Sequence, residues 1–271
     1  MALTAAGTDA VCSPYIQLLN ICKSFEDSQR QTHALQEINF EVSQGSFLSI
    51  VGPSGCGKST LLKILAGLIS TTAGEVRLKG NPVIRPPREM IYIFQEYSKS
   101  IYPWKRVLGN VAFGIRHREG RSLHEVRAEC IKYIELMGLQ GFEEHYPWQL
   151  SGGRQQRVAI ARGLICHPDV LLMDEPFSSI DALTRADLQD LVLRLWQELG
   201  LTVVFVTHDI EEALYMSTRL IGLSGSPAHV IKDIAVDLPI PRIQLGTRES
   251  PAYLAYRHEV LETIRGNLKK G

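Results

Sequence analysis

The feature that most constrains this chain is a glycine-rich loop between a short apolar run and a helical run. The apolar run Phe47–Val51 precedes the loop, and the helical run Leu61–Leu68 follows it. In the pattern GxxxxGK[ST], glycines let the backbone wrap so that successive N–H groups point at an anion. The N-terminus of the next helix adds about half a positive charge there. The sequence therefore predicts a phosphate-binding loop formed by Gly52, Pro53, Ser54, Gly55, Cys56, Gly57, Lys58, Ser59 and Thr60.

Two residues of this loop suit the chemistry of a nucleoside triphosphate. Lys58 would supply a positive charge to the β- and γ-phosphates, and Ser59 would offer a hydroxyl ligand to Mg²⁺. We interpret Cys56 as a small filler of the loop. A chance glycine-rich turn is the alternative, and it is disfavoured because a strand and a helix flank the loop as the motif requires.

Two adjacent carboxylates, Asp174 and Glu175, end a second apolar run, Val170–Met173. Such runs are typical of parallel strands buried on both faces, and ligands bind at the carboxyl ends of these strands. We expect Asp174 to hold Mg²⁺, directly or through water, and Glu175 to polarise the attacking water. Paired acids at a strand end are common, so this hypothesis depends on the phosphate loop upstream.

Strand-like and helix-like segments succeed one another along the chain. Residues up to about Pro14 are expected to form a frayed tail, and short strand-like runs follow it, among them Ile16–Leu19, Ile38–Val42, Glu75–Leu78 and Ile91–Phe94. Helical patterns dominate from Pro103 to Cys166. Apolar strands then return, with the helical pattern Ala182–Leu199 between Val170–Met173 and Thr202–Val206. The sequence predicts an α/β nucleotide core interrupted by a helical insertion at about 96–165, and it leaves the strand order open.

Two helix starts are marked by capping signals. Ser122 and Glu125 form a capping box, with Leu123, Cys130 and Ile134 following at helical spacing. Near the C-terminus Ser250-Pro251 is a cap followed by proline at the first helical position. The stripe expected on that final helix is Tyr253, Tyr256, Val260 and Ile264.

Composition excludes some functional classes. Lys and Arg together number 29, as do Asp and Glu, so net charge gives no argument for binding nucleic acid, and we expect no nucleic-acid partner. Five scattered cysteines without a CxxC pair favour reduced thiols in a cytosolic protein. The N-terminus lacks the pattern of a secretory signal. No run of the roughly 20 apolar residues needed to span a bilayer is found, so a membrane role would come through a partner.

The stretch Leu-Ser-Gly-Gly-Arg-Gln-Gln-Arg at 150–157 resembles the LSGGQ signature of ABC ATPases. Arg154 stands at a variable position of that signature. Other elements of the family appear in order around it: Phe25, Gln95, Ser178–Asp181 and His208. The match runs from about residue 16 to 235. On these motifs the chain is similar to the ATP-hydrolysing subunits of ABC transporters.

The resemblance implies a P-loop (RecA-like) nucleotide-binding core of α/β class, with an N-terminal antiparallel β subdomain and an inserted α-helical subdomain. A single domain would span 15–271, with its core at about 15–95 and 166–240 and its helical subdomain at about 96–165. The C-terminal helix would occupy about 250–268. We interpret that helix as a packing element, with a small regulatory appendage as the alternative.

The resemblance also implies roles for single residues. Phe25 would stack on adenine, and His208 would hydrogen-bond the γ-phosphate. Gln95 would be a ligand of Mg²⁺, and it would sense the γ-phosphate and the attacking water and relay that to the membrane partner. Without the resemblance, Phe25 would be taken for a packing residue and His208 for a helix-start residue.

The signature implies a dimer. Ser151, Gly152 and Gly153 open a helix, and in the family that helix end contacts the γ-phosphate of the ATP held by the opposite subunit. Asp181 would lie across the same interface. Two copies of this chain would then enclose ATP and Mg²⁺.

A finer resemblance concerns the kind of transporter. Val111–Gly114 after Pro103-Trp104, and the ending Leu238–Arg242, look like importer ATPases of the nitrate, sulfonate and taurine group. That group implies membrane permease subunits, a solute-binding protein, and a peripheral position on the cytoplasmic face of the inner membrane. Lys99–Tyr102 lengthens the segment expected to touch the permease.

Two alternatives stay open. The first is an ABC exporter, which would have no solute-binding protein among its partners. The second is a non-transport ABC ATPase, disfavoured because the long heptad run of such proteins is absent.

Overall fold

The computed structural model describes residues 14–27, 30–115, 120 and 122–268. The tail expected up to about Pro14 lies, apart from Pro14 itself, outside these residues. Within them the strands are β1 (Ile16–Asp27), β2 (Arg30–Val42), β3 (Phe47–Val51), β4 (Ala73–Leu78), β5 (Asn81–Pro82), β6 (Met90–Ile93), β7 (Val170–Asp174), β8 (Thr202–Thr207), β9 (Arg219–Leu223) and β10 (Val230–Ala235). The helices are α1 (Lys58–Leu65), α2 (Tyr97–Ser100), α3 (Val107–Ala112), α4 (Leu123–Leu136), α5 (Gly152–Leu164), α6 (Ala182–Leu199), α7 (Ile210–Met216), α8 (Gln244–Arg248) and α9 (Pro251–Leu268).

The larger sheet has the strand order β10-β9-β3-β8-β7-β6. Its strands pair in parallel from β9 to β6, and β10 adds an antiparallel edge. Every residue of β3, β7 and β8 is buried, as expected of apolar strands covered on both faces. Consequently the carboxyl ends of β3, β8, β7 and β6 lie side by side at one edge of the sheet.

The smaller sheet is antiparallel, in the order β2-β1-β4-β5, which confirms the predicted β subdomain. Its strands β1 and β2 are much longer than the predicted runs Ile16–Leu19 and Ile38–Val42. The pairing of β1 with β2 shifts register between Leu18 and Ser24, so strict alternation of polar and apolar residues is lost there. The buried face of this sheet shares a hydrophobic cluster with α1.

The inserted segment is helical, as predicted, and its helices α3, α4 and α5 share one hydrophobic cluster with the other face of the parallel sheet. The capping box of α4 is present: Ser122 N donates to Glu125 Oε2 at 2.8 Å, and Glu125 N donates to Ser122 Oγ at 3.2 Å. Cys130 and Ile134 are buried, whereas Leu123 is 90% exposed because it sits in the first turn beyond the packed face.

The C-terminal helix α9 packs on the core through the predicted stripe: Tyr253, Val260 and Ile264 are buried, and Tyr256 is partly buried against the same cluster. Tyr253 Oη donates to the Glu211 carbonyl oxygen in α7 at 3.0 Å. In the described part of the chain, no helix is both long enough and apolar enough to cross a membrane.

Candidate active site

The predicted phosphate-binding loop joins β3 to α1. Gly55 and Gly57 have φ values of 77° and 110°, conformations that glycine adopts without strain. A Cβ on Gly57 would also come within 2.9 Å of Leu35 Cδ2. The helix begins at Lys58, three residues before the predicted Leu61, and ends at Leu65. Backbone wrapping and a helix N-terminus therefore meet at this loop, the arrangement that binds phosphate.

Lys58 is folded back onto its own loop. Its Nζ donates to the carbonyl oxygens of Gly52 and Pro53, both at 2.9 Å, and the residue is only 4% exposed. An ammonium group has three donors, so one N–H beyond these two bonds is available to an anion. The loop thus holds a positive charge in a fixed place.

Ser59 and Asp174 are brought together at the carboxyl ends of β3 and β7. Ser59 Oγ donates to Asp174 Oδ1 at 2.7 Å, and Tyr92 Oη donates to Asp174 Oδ2 at the same distance. Burial, and then the negative charge of Asp174, raises the pKa of Tyr92 far above its ordinary value, so Tyr92 stays a neutral donor. The carboxylate of Asp174 is fixed through both of its oxygens.

A second cluster forms around Glu175. Glu175 Oε2 accepts from Gln95 Nε2 at 3.1 Å and lies 3.0 Å from His208 Nδ1, a hydrogen bond when that nitrogen carries the proton. Glu175 has a φ of 42°, a left-handed conformation that is uncommon for a residue with a side chain. Gln95 follows β6, Glu175 follows β7 and His208 follows β8, so strand order explains why these residues meet.

Oxygen donors for a hard cation are present in this region. Ser59 and Asp174 are in contact, and Gln95 stands one hydrogen bond away from Glu175, the neighbour of Asp174. Within the residues that the structure describes, no group of three or more His, Cys, Asp or Glu side chains forms a complete metal cage. Mg²⁺ commonly takes only one or two protein ligands and completes its shell with water and substrate phosphates. The residues present therefore fit Mg²⁺ bound together with a nucleotide.

The signature residues lie at the N-terminus of α5. Ser151 is the exposed N-cap residue, and its side chain makes no capping hydrogen bond. Gly153 is buried, and a Cβ there would come within 2.2 Å of Thr184 Cγ2, so this glycine allows α5 to approach α6 closely. Among the described residues, no hydrogen bond joins Ser151, Gly152 or Gly153 to the phosphate-binding loop.

Asp181 caps the neighbouring helix α6. Its Oδ1 accepts from Thr184 N at 3.0 Å, and this backbone hydrogen bond lowers the pKa of Asp181. Thr184 therefore contacts both features: its N–H is hydrogen-bonded to Asp181, and its side chain packs against Gly153 at the start of α5.

Phe25 lies near the end of β1 and is 45% exposed, with Lys23 Nζ 5.0 Å from its ring centroid. It pairs with Thr32 of β2. Two residues further along β2, Ala34 and its neighbour Leu35 pack against Gly57 of the phosphate-binding loop. The β1–β2 ladder therefore carries an exposed aromatic ring a few residues from the point where β2 contacts that loop.

Sequence reasoning missed several residues of this region. Tyr92 donates a hydrogen bond to Asp174. The sequence could have indicated this, because a tyrosine in an apolar strand needs a partner for its hydroxyl group. Glu212 in α7 is 6% exposed, and burial raises its pKa. Arg185 in α6 lies 3.7 Å from it. Both residues lie in the first turns of their helices, but nothing in the sequence indicates that they are in contact.

The chain is similar to proteins of known family. The sequence model described as "ABC transporter" matches residues 35–178. The chain is 43% identical over 255 residues to an uncharacterized ABC transporter ATP-binding protein of Methanocaldococcus jannaschii, over 94% of this chain and 93% of that one. It is 39% identical over 254 residues to the aliphatic sulfonates import ATP-binding protein SsuB of Bacillus cereus, over 93% and 97%. A solved dimeric structure of a bacterial ABC transporter cassette matches with a TM-score of 0.73 and 34% identity, covering 82% of this chain and 98% of that chain.

Proposed function

Because the chain belongs to the ABC transporter family, we propose that it powers the import of a small solute by hydrolysing ATP between two copies of itself. One observation carries the mechanistic proposal. Ser59 and Asp174 on one side, and Glu175, Gln95 and His208 on the other, form two adjoining clusters beside the phosphate-binding loop. This is where a nucleotide's terminal phosphate, a cation and an attacking water would meet.

In the proposed reaction each residue acts on a stated part of the substrate. Lys58 neutralises charge on the β- and γ-phosphates, and Phe25 stacks on the adenine. Mg²⁺, held by Ser59, Asp174 and Gln95, would neutralise charge on the phosphate oxygens when bound. Glu175 Oε2 accepts a proton from the attacking water. Gln95 orients that water, and His208 donates a hydrogen bond to the γ-phosphate.

Dimerisation completes the site in this proposal. The exposed N-terminus of α5, with Ser151 and Gly153, approaches the γ-phosphate held by the opposite copy. Asp181, at the neighbouring start of α6, lies in the same interface. ATP favours the closed dimer because its γ-phosphate contacts both copies, and a ligand shifts an equilibrium only through such differential binding. Loss of the γ-phosphate removes the bridging contacts and lets the dimer open.

The transporter is proposed to be an importer with membrane permease subunits and a solute-binding protein. The similarity to an aliphatic sulfonates import protein supports a sulfonate or a related small oxyanion as its solute. A groove of about 440 Å³ between β6 and the helical insertion supports contact with a permease, since it is lined by Phe94, Tyr102 and Phe113. The chain would then act from the cytoplasmic face of the membrane, without crossing it.

Replacement of Glu175 by glutamine tests the catalytic proposal. Glu175→Gln keeps the shape of the side chain but removes its basicity, so turnover is expected to fall by about 10²–10⁴-fold. ATP binding should persist, and the ATP-bound dimer should accumulate in gel filtration. The matched control is Glu89→Gln, an exposed glutamate before β6, at the opposite end of the sheet. Normal turnover of Glu175→Gln, with monomers only in the presence of ATP, would contradict the proposal.

Purification of the chain with its partners tests the transport proposal. A permease together with a solute-binding protein supports an importer, and the ligand of that binding protein then identifies the solute. A permease purified from the native membrane without any solute-binding protein supports the exporter alternative. Both outcomes leave the catalytic test with Glu175→Gln unaffected.

A further inference from the structure

A small polar cavity of about 50 Å³ lies behind the proposed catalytic cluster. Glu175, His208, Arg185 and Glu212 are among the residues that line it. Neither Arg185 nor Glu212 has a role in the mechanism above. A buried carboxylate is costly unless it is paired and hydrogen-bonded, so the contacts of Glu212 call for an explanation.

Glu212 fixes the segment that carries His208. Its Oε2 accepts from Thr207 Oγ1 at 2.9 Å. The same Thr207 hydroxyl accepts from Asp209 N at 3.0 Å. Thr207 and Asp209, the residues before and after His208, are therefore linked to Glu212 through the Thr207 hydroxyl. These hydrogen bonds restrict the backbone that carries the imidazole.

Arg185 connects this segment to the loop that carries Asp181. Its Nη1 lies 3.7 Å from Glu212 Oε1, and its Nη2 donates to the Ile180 carbonyl oxygen at 3.0 Å. Ile180 directly precedes Asp181. A guanidinium can make both contacts at once because its donors form a rigid fork, which a lysine ammonium does not reproduce.

Gln189 supports the pair from the next turn of α6. Its Nε2 donates to Glu212 Oε1 at 3.3 Å, and the residue is 1% exposed. Glu212 Oε1 thus faces both Arg185 and Gln189, while its Oε2 faces Thr207. The carboxylate is therefore contacted at both of its oxygens, and it lies between the loop that follows β7 and the loop that follows β8.

We propose that Arg185 and Glu212 are positioning residues for ATP hydrolysis, which hold His208 in a fixed position relative to Asp181. The pair joins the residue that would contact the γ-phosphate to the residue that would face the second copy. A shift of the Asp181 loop on dimer closure is passed through Arg185 and Glu212 to the His208 loop. This inference rests on the proposed role of His208.

ATP turnover by variants of Glu212 and Arg185 tests the positioning role of these two residues. Glu212→Gln keeps the volume and removes the charge, and Arg185→Met removes the fork. Each is expected to lower kcat about 10-fold or more while the KM for ATP changes less than about 2-fold, because binding contacts stay intact. Arg185→Lys should restore part of the loss. The control is Arg194→Met, an exposed arginine on the same helix, which should leave kcat unchanged.

A second pair of variants covers the case in which a charge variant fails to fold. Thr207→Val removes the hydroxyl that links Glu212 to the His208 segment and keeps the shape of the side chain, whereas Thr207→Ser keeps the hydroxyl. Only Thr207→Val is expected to lower kcat. Thermal unfolding of all variants shows whether a loss of turnover exceeds a loss of folded protein.

Combination with His208→Ala separates this inference from the proposed function. If Glu212 acts through His208, Glu212→Gln adds little to the loss caused by His208→Ala, which is non-additive behaviour of coupled residues. Full turnover of His208→Ala would overturn the proposed role of His208, and it would also overturn the positioning role of Arg185 and Glu212, which depends on it. A lost turnover in His208→Ala beside normal kcat in Glu212→Gln, Arg185→Met and Thr207→Val would overturn the positioning pair alone.

Discussion

The phosphate-binding loop and the signature helix end are both predicted to contact a γ-phosphate, the loop in its own chain's ATP and the helix end in the ATP of the opposite copy, and they are built in opposite ways. Around the loop, Lys58, Ser59 and Glu175 are each engaged by hydrogen bonds inside the chain. At the signature, Ser151 is exposed without a capping bond, and Trp148 just before it is 64% exposed. The side chains around the loop, here called the inward half, are held by hydrogen bonds within the chain. The helix end at Ser151, here called the outward half, is exposed to solvent. A helix end of this kind becomes useful only when something else supplies the anion.

Among the variants at Ser151, Lys58 and Phe25, the largest effect is expected for Ser151→Arg in the outward half. Ser151→Arg places a bulky side chain at the helix end, where it blocks close approach of a second copy. Because Ser151 is exposed, the fold should be unaffected, and a single chain should bind ATP as before. Turnover should fall by about 10²–10³-fold, the cost of losing a preorganised donor to a developing charge. Turnover and calorimetric ATP affinity measure the two effects separately.

The control for this variant is Ser70→Arg, an exposed serine after α1. A fully active Ser151→Arg protein would remove the contrast between the two halves, since the signature would then have no part in the reaction.

A smaller effect is expected at the inward half. Lys58→Ala removes a buried ammonium group and its bonds to the carbonyl oxygens of Gly52 and Pro53. A hydrogen bond to a charged group contributes about 1.5–3 kcal/mol, so ATP affinity should weaken by about 10–100-fold. Calorimetry with Lys79→Ala, a surface lysine paired with Asp169, provides the comparison. Unchanged affinity in Lys58→Ala would show that this loop is not the nucleotide site.

The smallest effect is expected at Phe25. Stacking of a base on an aromatic ring contributes about 1–3 kcal/mol, and the half-exposed Phe25 should lie near the lower end. Phe25→Ala should therefore weaken ATP binding about 5-fold and leave the binding of inorganic triphosphate unchanged, whereas Phe25→Tyr should bind both normally. Equal losses for the two ligands would mean that Phe25 supports the loop and does not contact the base.

Sequence predicted best those parts in which local pattern and tertiary position agree. Phe47–Val51 and Ala182–Leu199 have the bounds that their apolar patterns indicated. Phe47–Val51 is wholly buried, and the buried face of Ala182–Leu199 carries the predicted Leu188, Leu191, Val192 and Leu195, so apolar pattern and tertiary position coincide. The loop between β3 and α1 was equally clear, because its glycines are required by backbone conformation whatever packs around them.

Other parts depend on contacts between distant residues. The outer halves of β1 and β2 are polar and irregularly paired, so no period-2 pattern marks them. Tyr92 meets Asp174 only because β6 and β7 are neighbours in the sheet, an order that the sequence left open. Gln189 and Glu212 are 23 residues apart and come together through the packing of α6 and α7. Such partners are set by topology and cannot be inferred from spacing along one element.

The backbone at Glu175 has a consequence for how this protein can change over time. Holding a side-chain-bearing residue in the left-handed region costs about 1–3 kcal/mol, a cost that glycine escapes. Stability and the proposed mechanism therefore favour different residues at position 175: glycine would relieve the strain of the main chain, but it would remove the carboxylate proposed to accept the proton of the attacking water.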